Sequence, residues 1–376
     1  MIYKNIYVSE SVGIGHPDKI CDQIADSILD SCLLQDKHSK VACEVMAANR
    51  LIIVCGEIKT HAYVDVVKLA WDVLMPLGYS EDDFTIISNV NSQSADINSA
   101  VIKSDGSIGA GDQGIVYGYA TNETKNYMPL ETVMAHELLK LMEKSIKNKS
   151  LKWAKFDMKS QVGISHENNK PVLKSMTISV QHDEKYNKTE FNKFISEKVM
   201  DVIAKKYGFD NSFDKLINPS GRFVIGGPIG DTGLTGRKII VDSYGGAAKH
   251  GGGAFSGKDA SKVDRSGAYF ARYIAKNIVA ANLADKCEIQ LSFAIGNIKP
   301  ISINLNTFQT EKISQEKIFN IIKQLFDYSI TDIINKFDLL SPIFSNFSTY
   351  GHFGRNKVEA KWESLDKVEE IKKMAI

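Results

Sequence analysis

GRFVIGGPIGDTGLTGRKIIVDSYGGAAKHGGGAFSGKDASKVDR, residues 221–265, is both the most chemically dense stretch of the chain and the head of its last structural repeat. Twelve of the 27 glycines fall between Gly221 and Gly257, and Arg222, Arg237, Lys238, Lys249, Lys258, Lys262 and Arg265 lie among or just after them. Glycine lets backbone N–H groups come close to a ligand and adopt positive φ. Fixed cations around such a loop make a site for a polyanion, with a nucleotide's phosphates the natural occupant. Asp231, Asp242, Asp259 and Asp264 place carboxylates in the same stretch, able to hold Mg²⁺ beside those phosphates. One glycine alone reads as a turn and one lysine alone as surface. So many together read as an enzyme's binding site.

Working outward, strand candidates at Phe223–Ile225 and Lys238–Asp242 precede a helix at about Arg265–Ala281, a hairpin at Glu288–Leu305 and a helix at about Gln315–Ser329. The same order of elements occurs twice upstream. Ile2–Val8 precedes a helix from Pro17 to about Leu34, a hairpin of Val41–Ala47 with Leu51–Ile58, and a helix near Tyr63–Leu77. Gly114–Ala120 precedes a helix at about Leu130–Lys147, a hairpin over Lys159–His182 and a helix at about Glu190–Tyr207. Three copies of strand, helix, hairpin, helix predict an α/β protein of the α+β type. Its three similar domains, each a small mixed sheet with helices on one face, would be arranged with pseudo-threefold symmetry. The expected divisions are 1–97, 110–224 and 225–376. Between the first two lies the polar stretch Asn91–Gly109, read either as a lid or as disorder, with 98–109 part of a mobile active-site loop.

The composition narrows the function classes. With 43% hydrophobic and 24% charged residues and a net charge of +1, the 376-residue chain has no overall polyelectrolyte character, which argues against nucleic-acid binding. No apolar run approaches a membrane span and the N-terminal stretch does not read as a signal peptide, so a cytoplasmic protein is expected. Five cysteines without a CxxC pair argue for free thiols. Gly252–Lys258 fits GxxxxGK, but Asp259 stands where a Walker loop needs Ser or Thr, and no strand immediately precedes Gly252. His250-Gly251-Gly252-Gly253 mimics an esterase oxyanion loop, yet the chain has no GxSxG elbow. His16, between Gly15 and Pro17 and beside Asp18 at a helix start, is placed to give a hydrogen bond to an anion.

ESVGIGHPDK (10–19), QSADI (93–97), GAGDQG (109–114), GRFVIGGPIGDTGLTGRK (221–238) and GGGAFSGKDASKVDRS (251–266) together resemble the S-adenosylmethionine synthetase (methionine adenosyltransferase) family. The likeness runs over nearly the whole chain in the family's order. It implies three similar domains with interleaved connections, and an enzyme that joins ATP and L-methionine and releases phosphate and pyrophosphate. Carried over by motif, it implies that His16, Arg237, Lys238 and Lys258 contact the phosphates, with Lys238 and His16 near the bond that breaks. Asp18 and Asp264 would hold two Mg²⁺ and Glu44 a K⁺. Asp157, Lys159, Arg222, Phe223 and Ala254 would bind the nucleotide, with Phe223 a stacking partner for adenine. Glu57, Gln93, Asp231 and Lys262 would bind methionine, with Asp112 in the same site and Gln93 to about Lys103 closing over it. Sites between two subunits imply at least a homodimer, with tetramers left open.

The sequence departs from the family pattern at Ile14, where glutamate is usual, and at Ala95 and Ala260, where proline is usual. No phosphate or metal residue is lost. Two rivals stay open on sequence alone. Another ATP-dependent enzyme, such as a small-molecule kinase, would leave ADP, and a catalytically silent regulatory subunit would leave no product.

Overall fold

The computed structural model describes residues 6–92, 107–166, 170–356 and 358–376; Gln93, Ala95 and the expected loop from Gln93 to Lys103 lie outside the described residues. Three helices organise the rest. Helix α1 (Pro17–Gln35) starts with Pro17, whose missing N–H costs nothing in a first turn, and is capped by His16, whose ring accepts from Asp18 N–H. Its face of Ile20, Ile24, Ile28 and Leu29 is fully buried. Helices α3 (Leu130–Lys147) and α4 (Val263–Ala280) are its counterparts, and between α1 and α3 runs the short α2 (Val66–Leu74).

Each long helix covers one sheet. Strands β1 (Ile6–Val12), β2 (Lys40–Ala48), β3 (Leu51–Lys59), β4 (Thr85–Asn91), β5 (Gly114–Thr121) and β6 (Ala154–Ser165) come first in the chain. They are followed by β7 (Val172–His182), β8 (Asp214–Ile217), β9 (Gly233–Leu234), β10 (Lys286–Phe293) and β11 (Ser302–Asn306). The sheet orders are β4–β3–β2–β9 under α1, β1–β6–β7–β8 under α3, and β11–β10–β5 under α4. The first two are mixed, through the parallel pairs β3/β4 and β7/β8; the third is antiparallel.

These pairings show how the repeats interlock. Each hairpin takes its outer strand from the preceding repeat. Strand β1 joins β6 and β7, β5 joins β10 and β11, and β9, from the third repeat, returns to β2 and β3 of the first. The exchange is cyclic, which gives the pseudo-threefold arrangement. Cuts near residues 97–110 and 224 would remove one strand from every sheet.

Two apolar cores result. One joins α1, α4 and their sheets; the other lies between α3 and its sheet. Contact within them is close. A Cβ at Gly118 of β5 would lie 1.9 Å from the Ala271 carbonyl carbon, so only glycine lets this strand rest on the α4 backbone. All five cysteines are free thiols.

The head of the third repeat differs from the sequence expectation. Phe223–Ile225 is not a strand, because Phe223 is clipped to the end of β7. Its C=O accepts from His182 N–H (2.9 Å) and its N–H donates to His182 Nε2 (3.0 Å). Ile239–Asp242 is a helical turn closed by Asp242 N–H to Lys238 O (2.8 Å), despite its β-branched residues. The buried ion pair between Asp242 and Lys19 of α1 overrides their strand preference. The strand of this segment is the two-residue β9. The helix expected over Gln315–Ser329 ends earlier, as α5 (Gln315–Leu325), and an additional helix, α6 (Ile330–Phe337), capped by Ser329, begins just beyond the expected end. The C-terminal tail ends in α7 (Val368–Ala375). It also carries Glu363, buried against Arg272 and Lys276 of α4.

Candidate active site

The glycine-rich segment has little regular structure of its own and hangs on α1. Asp18, Asp22, Asp26 and Asp30 recur every fourth residue, forming one stripe along that helix. Asp18 accepts from Leu234 N–H (2.9 Å), Asp22 from Gly236 N–H (2.9 Å) and Asp26 from Gly257 N–H (2.9 Å). Asp30 accepts from the N–H groups of Phe344 (2.9 Å) and Ser345 (2.8 Å). Backbone donors of an irregular loop thus find charged acceptors on a rigid helix, which fixes the side chains carried between them.

The stripe is charge-compensated below the surface. Lys19, fully buried, pairs with Asp22 (2.8 Å) and Asp242. Burial pushes the Asp242 carboxyl up to about 7 against the pull of Lys19, while the two carboxylates outweigh burial at Lys19 and raise its ammonium. Arg265 makes a two-pronged pair with Asp26, at 2.7 and 3.0 Å. Its Nη1 also donates to Lys258 O (3.2 Å). Gly257, at φ +78° and with its Cβ position 2.0 Å from Cys43 O, lets this loop press onto β2.

A first cluster gathers at the start of α1. Lys238 Nζ donates to Asp18 Oδ2 (2.6 Å). Burial opposes the Asp18 charge, but the hydrogen bonds from Lys238 and Leu234 N–H outweigh it and hold the carboxyl below its ordinary range. Burial, and next the charge of Lys238, drive His16 down to about 3, so its imidazole is neutral. Its Nδ1 accepts from Asp18 N–H (3.2 Å), which leaves the proton on Nε2. That Nε2 is buried without a partner among the described residues. Asp157, on β6, sits nearby. Its Oδ2 accepts from Gly227 N–H (2.7 Å) and its buried Oδ1 has no partner among the described residues. Burial pushes this carboxyl up to about 6, opposed by Gly227 N–H and Lys159 and assisted by Asp231. Beside Asp157 opens a cavity of about 520 Å³, walled also by Gly15, Tyr79, Gln181 and Gly226.

A second cluster lies along the 251–265 loop and β2. Lys258 Nζ donates to Asp264 Oδ2 (2.5 Å) and Lys262 Nζ to Asp259 Oδ2 (2.5 Å). Glu44 and Glu57 share one face of β2 and β3, by their register. Glu44 is exposed in the single chain, yet crowding by neighbouring atoms raises its carboxyl, against the pull of Lys258 and with the push of Asp22 and Glu57. Asp112 is exposed on a loop tied to this cluster by Gly111 N–H to Ser261 O (3.2 Å). Ala254 meets the first cluster, since a Cβ on Gly236 would lie 2.4 Å from its own.

The expected site residues therefore fall into two groups. His16, Asp18, Asp157, Lys159, Asp231 and Lys238 share one electrostatic neighbourhood, with Arg237 next in the chain to Lys238. Lys258, Asp264, Lys262, Glu44, Glu57 and Asp112 form the other, and Ala254 lies between the two. Arg222 stands apart from both, exposed and paired with Glu184 (3.1 Å), and Phe223 is partly buried on the end of β7. Ile14 lines a groove with Lys140, Tyr350 and Arg355. Ala260, where the family usually has proline, is buried beside Asp259. The sequence reading missed Asp22, Asp26 and Asp30, although their four-residue spacing was there to be read.

The donor chemistry fits Mg²⁺. That ion takes one or two protein carboxylates and completes its shell with phosphate oxygens and water, and Asp18 and Asp264 offer one carboxylate each. Each now has a lysine as partner, so a metal–phosphate pair would exchange partners rather than meet bare charge. Glu44, the residue expected to hold K⁺, lies on the same sheet face as Glu57.

Three family models match the chain in succession. They describe the N-terminal (residues 4–101), central (107–223) and C-terminal (225–364) domains of S-adenosylmethionine synthetase. Similar curated proteins are each named S-adenosylmethionine synthase. That of Mycoplasma capricolum subsp. capricolum is 52% identical, over 99% of this chain and 97% of that protein. That of Mesoplasma florum is 53% identical over 98% and 100%. That of Clostridium botulinum is 46% identical over 98% and 99%.

Proposed function

The chain belongs to the S-adenosylmethionine synthetase family, and from that premise we propose how its own residues carry out adenosyl transfer. The methionine sulfur attacks C5′ of ATP; its lone pair forms the C–S bond as the C5′–O bond breaks, and the triphosphate oxygen leaves with the bonding pair. Water then cleaves the bound triphosphate to phosphate and pyrophosphate. A thioether is a neutral nucleophile, so no base is needed to activate it. The barrier lies in the charge that develops on the leaving group, and groups fixed in advance toward that charge lower it.

The observation that carries this reading is the neutral His16 with its unpartnered Nε2–H beside the Lys238–Asp18 pair. A neutral donor and an ammonium can both meet the departing oxygen without giving up a proton. Arg237 and Lys258 take the outer phosphates. Mg²⁺ held by Asp18 and Asp264 would neutralise further phosphate charge, and K⁺ beside Glu44 would steady the β2–β3 face. Asp157 and Lys159, with Arg222, Phe223 and Ala254, receive the nucleoside. Glu57, Asp231, Lys262, Gln93 and Asp112 hold methionine.

The split into two clusters supports a homodimer in which each site takes one cluster from each subunit. So does the outer face of β9–β2–β3–β4, where Ile87 and Leu234 are exposed and Met46 and Ile53 half-covered. Mass spectrometry of the products from ATP, methionine, Mg²⁺ and K⁺ tests the reading. S-adenosylmethionine with equimolar phosphate and pyrophosphate is expected, and none from Lys258→Ala. ADP, or triphosphate cleavage without a sulfonium product, would overturn it.

A further inference from the structure

We propose that Glu123, Glu131 and His166 form a second metal site, for a divalent transition ion such as Zn²⁺, away from the nucleotide. Glu123 follows β5 by two residues, Glu131 lies in the first turn of α3 and His166 directly follows β6. One ligand atom from each lies within 4.8 Å of the other two. Glu131 is 4% exposed, and its buried Oε2 has no hydrogen-bond partner among the described residues. That oxygen points at His166 Nε2, 4.0 Å away. A buried carboxylate oxygen facing an imidazole across a gap too long for a hydrogen bond is an arrangement that a metal ion between them would satisfy.

The surroundings agree. Glu123 is already oriented, accepting from Lys286 Nζ on Oε1 (3.0 Å) and from Leu130 N–H on Oε2 (3.3 Å). The His166 ring stands edge-on to Tyr7, with centroids 5.5 Å apart. The two carboxylates and Lys286 leave one net negative charge for a cation to offset. Bonds of about 2.0–2.2 Å would draw the three ligand atoms to within roughly 3–4 Å of one another, a small rotation of the half-buried His166. The donor set differs from that of Asp18 and Asp264. An imidazole beside two carboxylates suits zinc or manganese, whereas oxygens alone suit magnesium. The bound ion would tie the end of β5, in the third sheet, to α3 and β6 of the second.

The test is zinc binding by the chelator-stripped full chain, read as metal per chain by mass spectrometry and as melting temperature across a Zn²⁺ titration. The wild type should bind one tight equivalent and melt higher. Glu131→Gln keeps the size and shape of the side chain while removing its charge. It and His166→Ala should each weaken that equivalent by at least the roughly 10–100-fold seen when a supporting partner of a metal ligand is lost. The Asp18→Asn, Asp264→Asn double variant should retain it, which separates this site from the nucleotide site and makes the result independent of the adenosyl-transfer reading. Co²⁺ in place of Zn²⁺ should give a visible ligand-field spectrum that His166→Ala abolishes. No tight equivalent in the wild type, or one kept undiminished by Glu131→Gln and His166→Ala, would overturn the proposal.

Discussion

Replacing Asp26 by asparagine should lower stability and turnover together, for separable reasons. Asp26 and Arg265 are both wholly buried. The carboxylate accepts Arg265 Nη1 (2.7 Å) and Gly257 N–H (2.9 Å) on Oδ1, and Arg265 Nη2 (3.0 Å) on Oδ2. Asparagine keeps one acceptor but turns the other into an amide NH₂ facing Nη2, and it strands a guanidinium without counter-charge. Removing one partner of such a pair costs about 3–5 kcal/mol. Unfolding entropy of about 2.1 cal/mol/K per residue gives roughly 0.8 kcal/mol/K over 376 residues, so melting should fall by about 4–6 °C. The double variant Asp26→Leu, Arg265→Met should recover part of that loss, because an apolar pair replaces the buried ion pair at little net cost, while Gly257 N–H is left without its acceptor. Activity should not recover, since Gly257 N–H and Lys258 C=O lose their anchors. Differential scanning calorimetry and steady-state kinetics on the same preparations read both effects. A single variant melting within about 1 °C of wild type, or a double variant with restored turnover, would refute the reasoning.

Two further outcomes follow from the first cluster. Asp157 titrates at about 6 when folded against an ordinary 3.8, so the folded state binds the extra proton between those values. Its contribution to stability therefore falls as pH rises from about 4 to 6 and stays reduced above, and Asp157→Asn should flatten that part of a melting-temperature profile while weakening nucleotide binding. A profile parallel to wild type would count against the assignment. His16→Ala should lose the helix cap, about 0.5–2 kcal/mol, which His16→Asn should largely restore, while both lose turnover because neither replaces the Nε2–H. Turnover by His16→Asn at the wild-type rate would remove His16 from the chemistry.

Much of this was legible in the sequence because it is local. The period of α1, the Leu130–Lys147 helix and the hairpins each depend on residues that are neighbours in the chain. The phosphate and metal candidates were legible because glycine and cations together have few other uses. The strand assignments at 223–225 and 238–242 failed where partners lie far away, at His182 and Lys19. Which hairpin receives which outer strand is likewise decided across more than a hundred residues, and no local pattern encodes it. The aspartate stripe shows the intermediate case. Its spacing is local and readable, but its purpose emerges only with the N–H groups it meets in another third of the chain.

The cyclic exchange of outer strands bears on how the protein is made. A ribosome delivers the chain from its N-terminus, yet β1 waits for its partner β6, residues 154–165, to emerge. The β2–β3 hairpin, complete by residue 59, waits for β9 at residues 233–234 to finish its sheet. Strand β5 waits in turn for β10 and β11. Every sheet joins strands from two repeats, and the third stays open until β10 and β11 appear in the last third of the chain, so the nascent chain carries exposed edges where chaperones would be expected to bind.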